Sequence, residues 1–508
     1  MLLINPVGEK FGGWLGPYMV IGMPAAIGIL SAYLGKHGHK TNVVDDEMEM
    51  ITEDNIEIHV QNLKKPYVFG ITVLTAQVYR AYNIAKMLKK KYPDCIIIMG
   101  GIHVTAIPGE ALKEGADIVV RGEGEETLRL VYEAILEGKD WRKVDGISFI
   151  DQSGVVENTK DALLIRDLDD VPMFPYHLFQ SPRYDRAVLI SSRGCPYTCT
   201  YCSQRLVTGT TYRYHSVDRI IENINLLVYK YNQKSLTFDE DNFAVHKSRV
   251  KKLCDAIVAQ NYPDVEFKVQ TRADNLYKEI MPYLKKANFT GVSFGLETAS
   301  ERLIKVINKE HTVQTCTESI KLAREYGMDV TALMIMGLPT ETREDRNTSV
   351  DYIYKHDLRF TKFNNLIPYP GTKLYNMTKN TPQIHVQKNW RNFNSTLAGT
   401  SSIFSTTPLP YVPEGTTPWQ LKRDIIKANY GFYFRPKQII DILFGQGSGG
   451  FVELPHRWYF KPREIYEIIK LGSTIFGNYL VSLLPDKIGE LVYVVVTGQK
   501  VEDRTKIF

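Results

Sequence analysis

Short apolar runs and helix-period segments take turns through the first 140 residues. The apolar runs are LLINP (2–6), TNVVD (41–45), YVFGITVL (67–74), CIIIMGG (95–101) and DIVVRG (117–122), and between them Pro24–His37 and Gln77–Lys91 carry helical spacing. This rhythm predicts an α/β domain over 1–140, a doubly wound, Rossmann-like parallel sheet with helices on both faces. Ligands of such sheets sit at the carboxyl ends of the strands. Here those ends are Thr72 to Thr75, GGIH (100–103) and RGEGEE (121–126). Gly100, Gly101, Gly122 and Gly124 either make turns there or let the backbone approach a large planar ligand.

ISFIDQSGVVENT (147–159) reads as a hairpin around Ser153-Gly154, followed by the acidic, proline-containing RDLDDVPMFPYH (166–177), so 141–185 is assigned to hairpin and linker. The alternation resumes at Arg186. AVLISS (187–192), SLTFDE (235–240), EFKVQTR (266–272), GVSFGLE (291–297), DVTALMIMG (329–337) and RFTKFNNLIP (359–368) make six strand–helix steps. These predict a partial parallel barrel over 186–400. The C-terminal region, 401–508, is mixed and aromatic, with helix-like stretches at 418–433, 437–443 and 462–483. Phe11 to Gly35 carries no charge and is long enough to span a bilayer. Six glycines and prolines crowd its first half, however, which suits a loop entering a buried helix after Pro24. The chain opens on a strand-like MLLINP, without the basic segment of a signal peptide.

Composition narrows the partners. With 508 residues, 44% hydrophobic, the chain exceeds one core and needs two or three domains. Sixty-two basic against 57 acidic side chains give a weak net field of +5, which argues against nucleic acid and for a small molecule or lipid. Of six cysteines, three fall within eight residues and the others stand alone at 95, 254 and 316. That is not a disulfide framework and suits a reducing cytoplasm.

Cys195, Cys199 and Cys202 follow Cys-x3-Cys-x2-Cys spacing on a loop leaving the first barrel strand, with Tyr201 just before the last. Thiolates are the soft ligands that iron–sulfur clusters use, and three of them leave one iron of a 4Fe–4S cluster open. Structural zinc would want a fourth ligand. His215, thirteen residues beyond Cys202, has no recognised spacing for it.

SSRGCPYTCTYCS (191–203) resembles the signature of the radical S-adenosylmethionine (SAM) superfamily, and the resemblance extends over roughly residues 185–375. It implies that the open iron chelates SAM, that Glu240 or Asp241 of FDEDNF accepts hydrogen bonds from the SAM ammonium, and that Tyr201, Gln270, Arg272 and Glu297 supply further contacts. MGLPTET (336–342) and PYPGT (368–372) fit the later strand ends. The front domain, with GGIHVTA and RGEGEETL, is similar to the cobalamin-binding domain of cobalamin-dependent members, including the anaerobic Mg-protoporphyrin monomethyl ester cyclase and hopanoid C-methyltransferase group. That similarity implies cobalamin contacts at Thr72, Thr75, Gly100, Gly101, His103, Gly122, Glu123 and Gly124. No Asp-x-His-x-x-Gly motif is present, so the resemblance implies a cobalt without a histidine ligand; His103 then bonds the corrin periphery or is structural. Methylthiotransferases place three cysteines in the front domain, where this chain has only Cys95. Cys95, Cys254 and Cys316 read as small core residues.

The function expected from the resemblance is SAM- and cobalamin-dependent C-methylation of a small-molecule or lipid-like substrate, with an electron donor such as flavodoxin or ferredoxin. Ring cyclisation or rearrangement without methyl transfer is the alternative within the family, and a cobalamin-binding regulator the alternative outside enzymes. Residues 458–485 combine aromatics, aliphatics and leading basic residues, which fits either peripheral membrane contact or packing of the last helix.

Overall fold

The computed structural model describes residues 1–8, 21–356, 358–436, 438, 473 and 475–498. In the front domain β1 (Leu2–Asn5), β2 (Asn42–Asp45), β3 (Val68–Thr72), β4 (Ile96–Gly100) and β5 (Ile118–Val120) lie parallel in the order β2-β1-β3-β4-β5. The apolar runs are unbroken because alternate residues point into two different cores. Leu2, Ile4, Phe69, Ile71, Ile97 and Met99 pack with Val78, Ala81 and Ala85 of the helix Val78–Lys91 on one face. Leu3, Val68, Ile98, Ile118 and Val120 pack with Ile27 and Leu34 of the helix Ala25–Lys36, and with Leu128 and Val131 of Glu125–Leu136, on the other.

The hairpin predicted as part of a linker belongs to this sheet. β6 (Ile147–Ile150) pairs antiparallel with β5, Val119 opposite Ser148 and Val120 opposite Ile147, and β7 (Val156–Asn158) pairs with β6. It thereby satisfies the backbone of what would otherwise be a bare sheet edge. The true linker follows and packs on the front domain: Phe174 covers Gly28, where an added Cβ would lie 2.2 Å from its ring. Among the described residues no helix is long and apolar enough to cross a membrane. The uncharged stretch does enter a helix directly after Pro24.

The second sheet is the predicted partial barrel. β8 (Val188–Leu189), β9 (Ser235–Phe238), β10 (Glu266–Thr271), β11 (Phe289–Glu297), β12 (Asp329–Met336) and β13 (Phe360–Asn365) run parallel in chain order. Phe267, Val269, Phe294, Ala332, Met334 and Phe363 are buried beneath the surrounding helices. Their neighbours Lys268, Gln270, Ser293, Thr331, Leu333 and Lys362 are half-buried and form the concave face. The first strand is shorter than predicted: Ser192–Arg193 leaves the barrel to pair antiparallel with Arg213–Tyr214. After the barrel, the helix Pro418–Tyr433 starts with a Thr417/Gln420 capping box and packs on β13, where Asn429 bonds the backbone of Phe363 on both sides. The helix Asp486–Thr497, which the sequence pattern did not predict, seats Gly489 against Trp419. The helix-like stretch 437–443, save Gln438, and residues 462–472 and 474 of the third stretch lie outside the described residues, as does most of the membrane-contact candidate.

Candidate active site

The cysteine loop is set by the turn that enters it. Gly194 has φ +84°, and a Cβ there would meet the Thr211 carbonyl oxygen at 2.3 Å, so only glycine fits. The Gly194 backbone amide lies near the Asp241 carboxylate and favours its charged form. Cys199 is buried, Cys195 and Cys202 half-buried, and all three are free thiols. Burial pushes the Cys195 and Cys202 thiols above their ordinary pKa, so a bound cation is needed to hold them as thiolates near neutrality. Among the described residues no three His, Cys, Asp or Glu side chains converge on one ion position. A cluster asks for no such convergence, since each thiolate takes its own iron. The Arg272 guanidinium lies 3.5 Å from Cys199 Sγ and 3.6 Å over the Tyr197 ring. Its Nε and Nη2 donors are engaged by Asp274 at 2.9 and 2.8 Å and by the Lys309 carbonyl.

The two candidate acids separate cleanly. Glu240 is fully occupied: it accepts from Ser191 N at 2.8 Å and from the hydroxyls of Ser191 and Ser192, with Arg249 at 3.9 Å. Asp241 instead lies near enough to Cys195 and Cys202 for its charge to oppose their ionisation; it is bonded weakly to Thr208 Oγ1 at 3.4 Å, and burial pushes its pKa up to about 6. Glu297 sits at φ +68° where the pairing of β11 with β12 shifts register. It accepts from Tyr201 Oη at 2.7 Å and from Lys309 Nζ at 2.8 Å, while Lys309 also donates to Tyr201 Oη at 2.9 Å. Gly295 makes room, since a Cβ there would lie 2.5 Å from Glu297 Oε1. Tyr201 and Glu297 are thus already bonded to each other and to a buried lysine. Gln270 stands on the concave face beside Ser293.

Helices leave β1 and β3 on opposite sides of the sheet, and a crevice opens where the strand order reverses. It holds a cavity of about 500 Å³. Thr72, Gly100, Gly101, Gly122, Glu123 and Gly124 line it from the front domain, and Ser192 and Arg193 from the cysteine loop. Ile27, Leu30, Ile71 and Ile98 make its recess apolar. Gly101, at φ +107°, has its Cβ position 2.9 Å from the backbone of Val73. Thr75 and His103 do not line the cavity. They are buried together, His103 Nδ1 3.3 Å from Thr75 Oγ1, its ring edge-on to Trp390 and Nε2 3.6 Å from Glu110. His215, set aside for its spacing, does line it, with Nδ1 2.9 Å from Asp169. Glu123 borders the cavity, but its carboxylate is held by Arg193 and Arg213.

The Radical SAM superfamily model matches residues 189–353, and the B12 binding domain model residues 19–131. An uncharacterised methyltransferase of Pyrococcus horikoshii is 30% identical over 432 residues, 83% of this chain and 90% of that one. The chain belongs to the cobalamin-dependent radical SAM family. An anaerobic magnesium-protoporphyrin IX monomethyl ester cyclase of Cereibacter sphaeroides is 27% identical over 367 residues, 69% of this chain and 60% of that one. Among solved structures, the radical SAM methyltransferase TsrM of Kitasatospora setae, with cobalamin and a 4Fe–4S cluster bound, matches with a TM-score of 0.63 at 19% identity, covering 83% and 84% of the two chains. The cobalamin-dependent radical enzyme OxsB matches with a TM-score of 0.63 at 16% identity, covering 99% and 77%. Both share the fold.

This radical SAM enzyme therefore works with a 4Fe–4S cluster, SAM and cobalamin. Its residues fit these groups. Three free thiols on one loop beside a buried guanidinium suit a three-cysteine cluster. A recess walled by aliphatic side chains and rimmed by glycines suits a broad, flat, largely apolar cofactor.

Proposed function

We propose that this enzyme is a C-methyltransferase that carries a methyl group from SAM, by way of cobalamin, to an unactivated carbon of a small-molecule or lipid-like substrate. One observation supports this above all: Ser192 and Arg193 line the glycine-rimmed cleft, and the thiol set begins two residues later at Cys195. A single short loop borders both chemistries. When bound, the cluster supplies the electron that divides SAM into methionine and a 5′-deoxyadenosyl radical, and cobalamin supplies the methyl carrier.

The chain's own residues bind, orient and exclude water. Cys195, Cys199 and Cys202 would hold the cluster through three thiolates, which leaves room for SAM. Asp241, the acid whose charge reaches the thiols, accepts from the SAM ammonium, while Glu240 braces Ser191 and Ser192 behind the loop. Arg272 contributes charge beside Cys199 rather than a free fork for a carboxylate, since Asp274 already takes that fork. The Tyr201–Glu297–Lys309 triangle ties the cysteine loop to the end of β11 as a compensated ion pair. Thr72, Gly100, Gly101, Gly122 and Gly124 give cobalamin its backbone-walled seat, whereas His103 and Thr75 support it from within the domain. Gln270 reaches SAM or substrate from the concave face. A flavodoxin or ferredoxin supplies the electron.

Similarity to the anaerobic cyclase, at 27% identity, supports a second reading in which the same radical closes a ring without methyl transfer. Anaerobic reconstitution with iron, sulfide and cobalamin, followed by methyl-labelled SAM, a strong reductant and candidate small molecules, separates the two by mass spectrometry. Label in a new product beside 5′-deoxyadenosine is the expected result. A product two hydrogens lighter and unlabelled would shift the assignment to cyclisation, and absence of SAM cleavage in fully loaded protein would sink both.

A further inference from the structure

The front domain and the cysteine loop meet across a buried ion cluster that the cofactors do not account for. Glu123, 7% exposed, stands in the turn Gly122-Glu123-Gly124 at the lip of the cleft, with Gly122 at φ +75°. Its Oε1 accepts from Arg193 Nη1 at 3.1 Å and Arg213 Nη2 at 2.9 Å, and its Oε2 from Arg213 Nη1 at 2.8 Å and Ile165 N at 3.1 Å. Glu125 takes the other Arg193 donor at 2.6 Å. Arg213 is anchored further by the carbonyls of Ile165 at 2.6 Å and Thr208 at 2.8 Å. Arg193 and Arg213 are themselves cross-strand partners.

Two carboxylates face two guanidiniums, so the cluster is neutral in sum. A buried bidentate fork fixes both distance and angle, which a surface pair does not. Between Arg193 and Cys195 stands only Gly194, confined to a left-handed turn against Thr211, so a displacement of Arg193 carries to the first thiol. Interfaces between domains of one chain ordinarily allow relative motion. Chemistry shared by two cofactors does not tolerate it, since a misplacement of about 1 Å can cost about 100-fold in rate.

We infer that Glu123 is a positioning residue: by clamping Arg193 and Arg213 it holds the cluster loop at one distance from the cobalamin cleft. The inference rests on the cleft holding cobalamin, as proposed above. It is tested on the full chain loaded with cluster and cobalamin and poised so that reduced cluster and cob(II)alamin are both paramagnetic, with their dipolar interaction read by pulsed electron paramagnetic resonance. Wild-type protein is expected to give one sharp distance. Glu123→Gln, which keeps shape and loses charge, should retain iron and cobalamin yet shift the mean distance and lose the single sharp peak. Glu125→Gln, which removes only the outer arm, should shift it less. If Glu123→Gln does not fold, Arg193→Lys, which keeps charge but not the fork, carries the same measurement. An unchanged sharp distance in the loaded variant overturns the inference alone, whereas a wild-type chain that takes up no cobalamin overturns the cleft reading and this inference with it.

Discussion

Replacing Gly194 by alanine tests how the cluster loop is built. An L-residue at φ +84° costs about 1–2 kcal/mol in a left-handed conformation. The added methyl would stand 2.3 Å from Thr211 O, about 0.7 Å inside the 3.0 Å limit that real contacts respect, with Thr208 O at 3.3 Å as well. Both oxygens are backbone, so neither can rotate aside, and forced overpacking of this kind costs about 1–3 kcal/mol more. The strain, about 2–5 kcal/mol together, is concentrated on a loop that leaves the sheet rather than on either core. Release is therefore expected by displacement of the loop, which moves Cys195. After anaerobic reconstitution, Gly194→Ala should hold far less iron and sulfide per chain than wild type while keeping its far-ultraviolet circular dichroism. A variant that binds a full complement of iron, melts with wild type and cleaves SAM normally would refute the reasoning.

Lys309→Met leaves Glu297 buried without its cation and should destabilise the protein by about 3–5 kcal/mol in urea unfolding, with Glu297→Gln in the same background restoring most of it. Burial lowers the pKa of Lys422 from 10.5 to about 7, where its only hydrogen bond among the described residues is to Ser405 O at 3.3 Å. Between about 7 and 10.5 the unfolded chain keeps a proton that the folded chain has given up, so stability rises with pH through that window and the penalty is full below it. Lys422→Met should remove that slope and raise stability by about 2–4 kcal/mol at acid pH in thermal melts. Cys254→Ala with Cys316→Ala should leave iron content unchanged, because both thiols are buried under the barrel helices, and a loss of iron would contradict their assignment to the core.

Most of the architecture was legible because strands buried on both faces write long apolar runs, as Ile96–Gly100 does between two cores. The cysteine spacing was legible because all three ligands of a cluster fit on one loop. Partners brought in from afar were not. Lys309 lies 12 residues from Glu297 and 108 from Tyr201, and nothing local marks it as their third member. The Arg213 partner of Glu123 lies 90 residues away in another domain, so the acidic stretch RGEGEE read as ligand-facing when all three of its carboxylates face arginines, Glu126 bonding Arg129 of its own helix. The hairpin was recognised, but not its seat, since an antiparallel edge strand carries no sign of which sheet it joins. The helix Asp486–Thr497 escaped notice because its LVYVVV run mimics a strand.

The ion cluster at the seam bears on how far the two halves are exchangeable parts. A chimera that set another front domain before this barrel would bury Arg193 and Arg213 opposite whatever stood at positions 123 and 125. Without carboxylates there, two guanidiniums would be stranded, and an uncompensated buried charge costs about 3–5 kcal/mol. The modules can be shuffled in descent or by design only as a matched pair, lip and loop together, however similar the cofactors they carry.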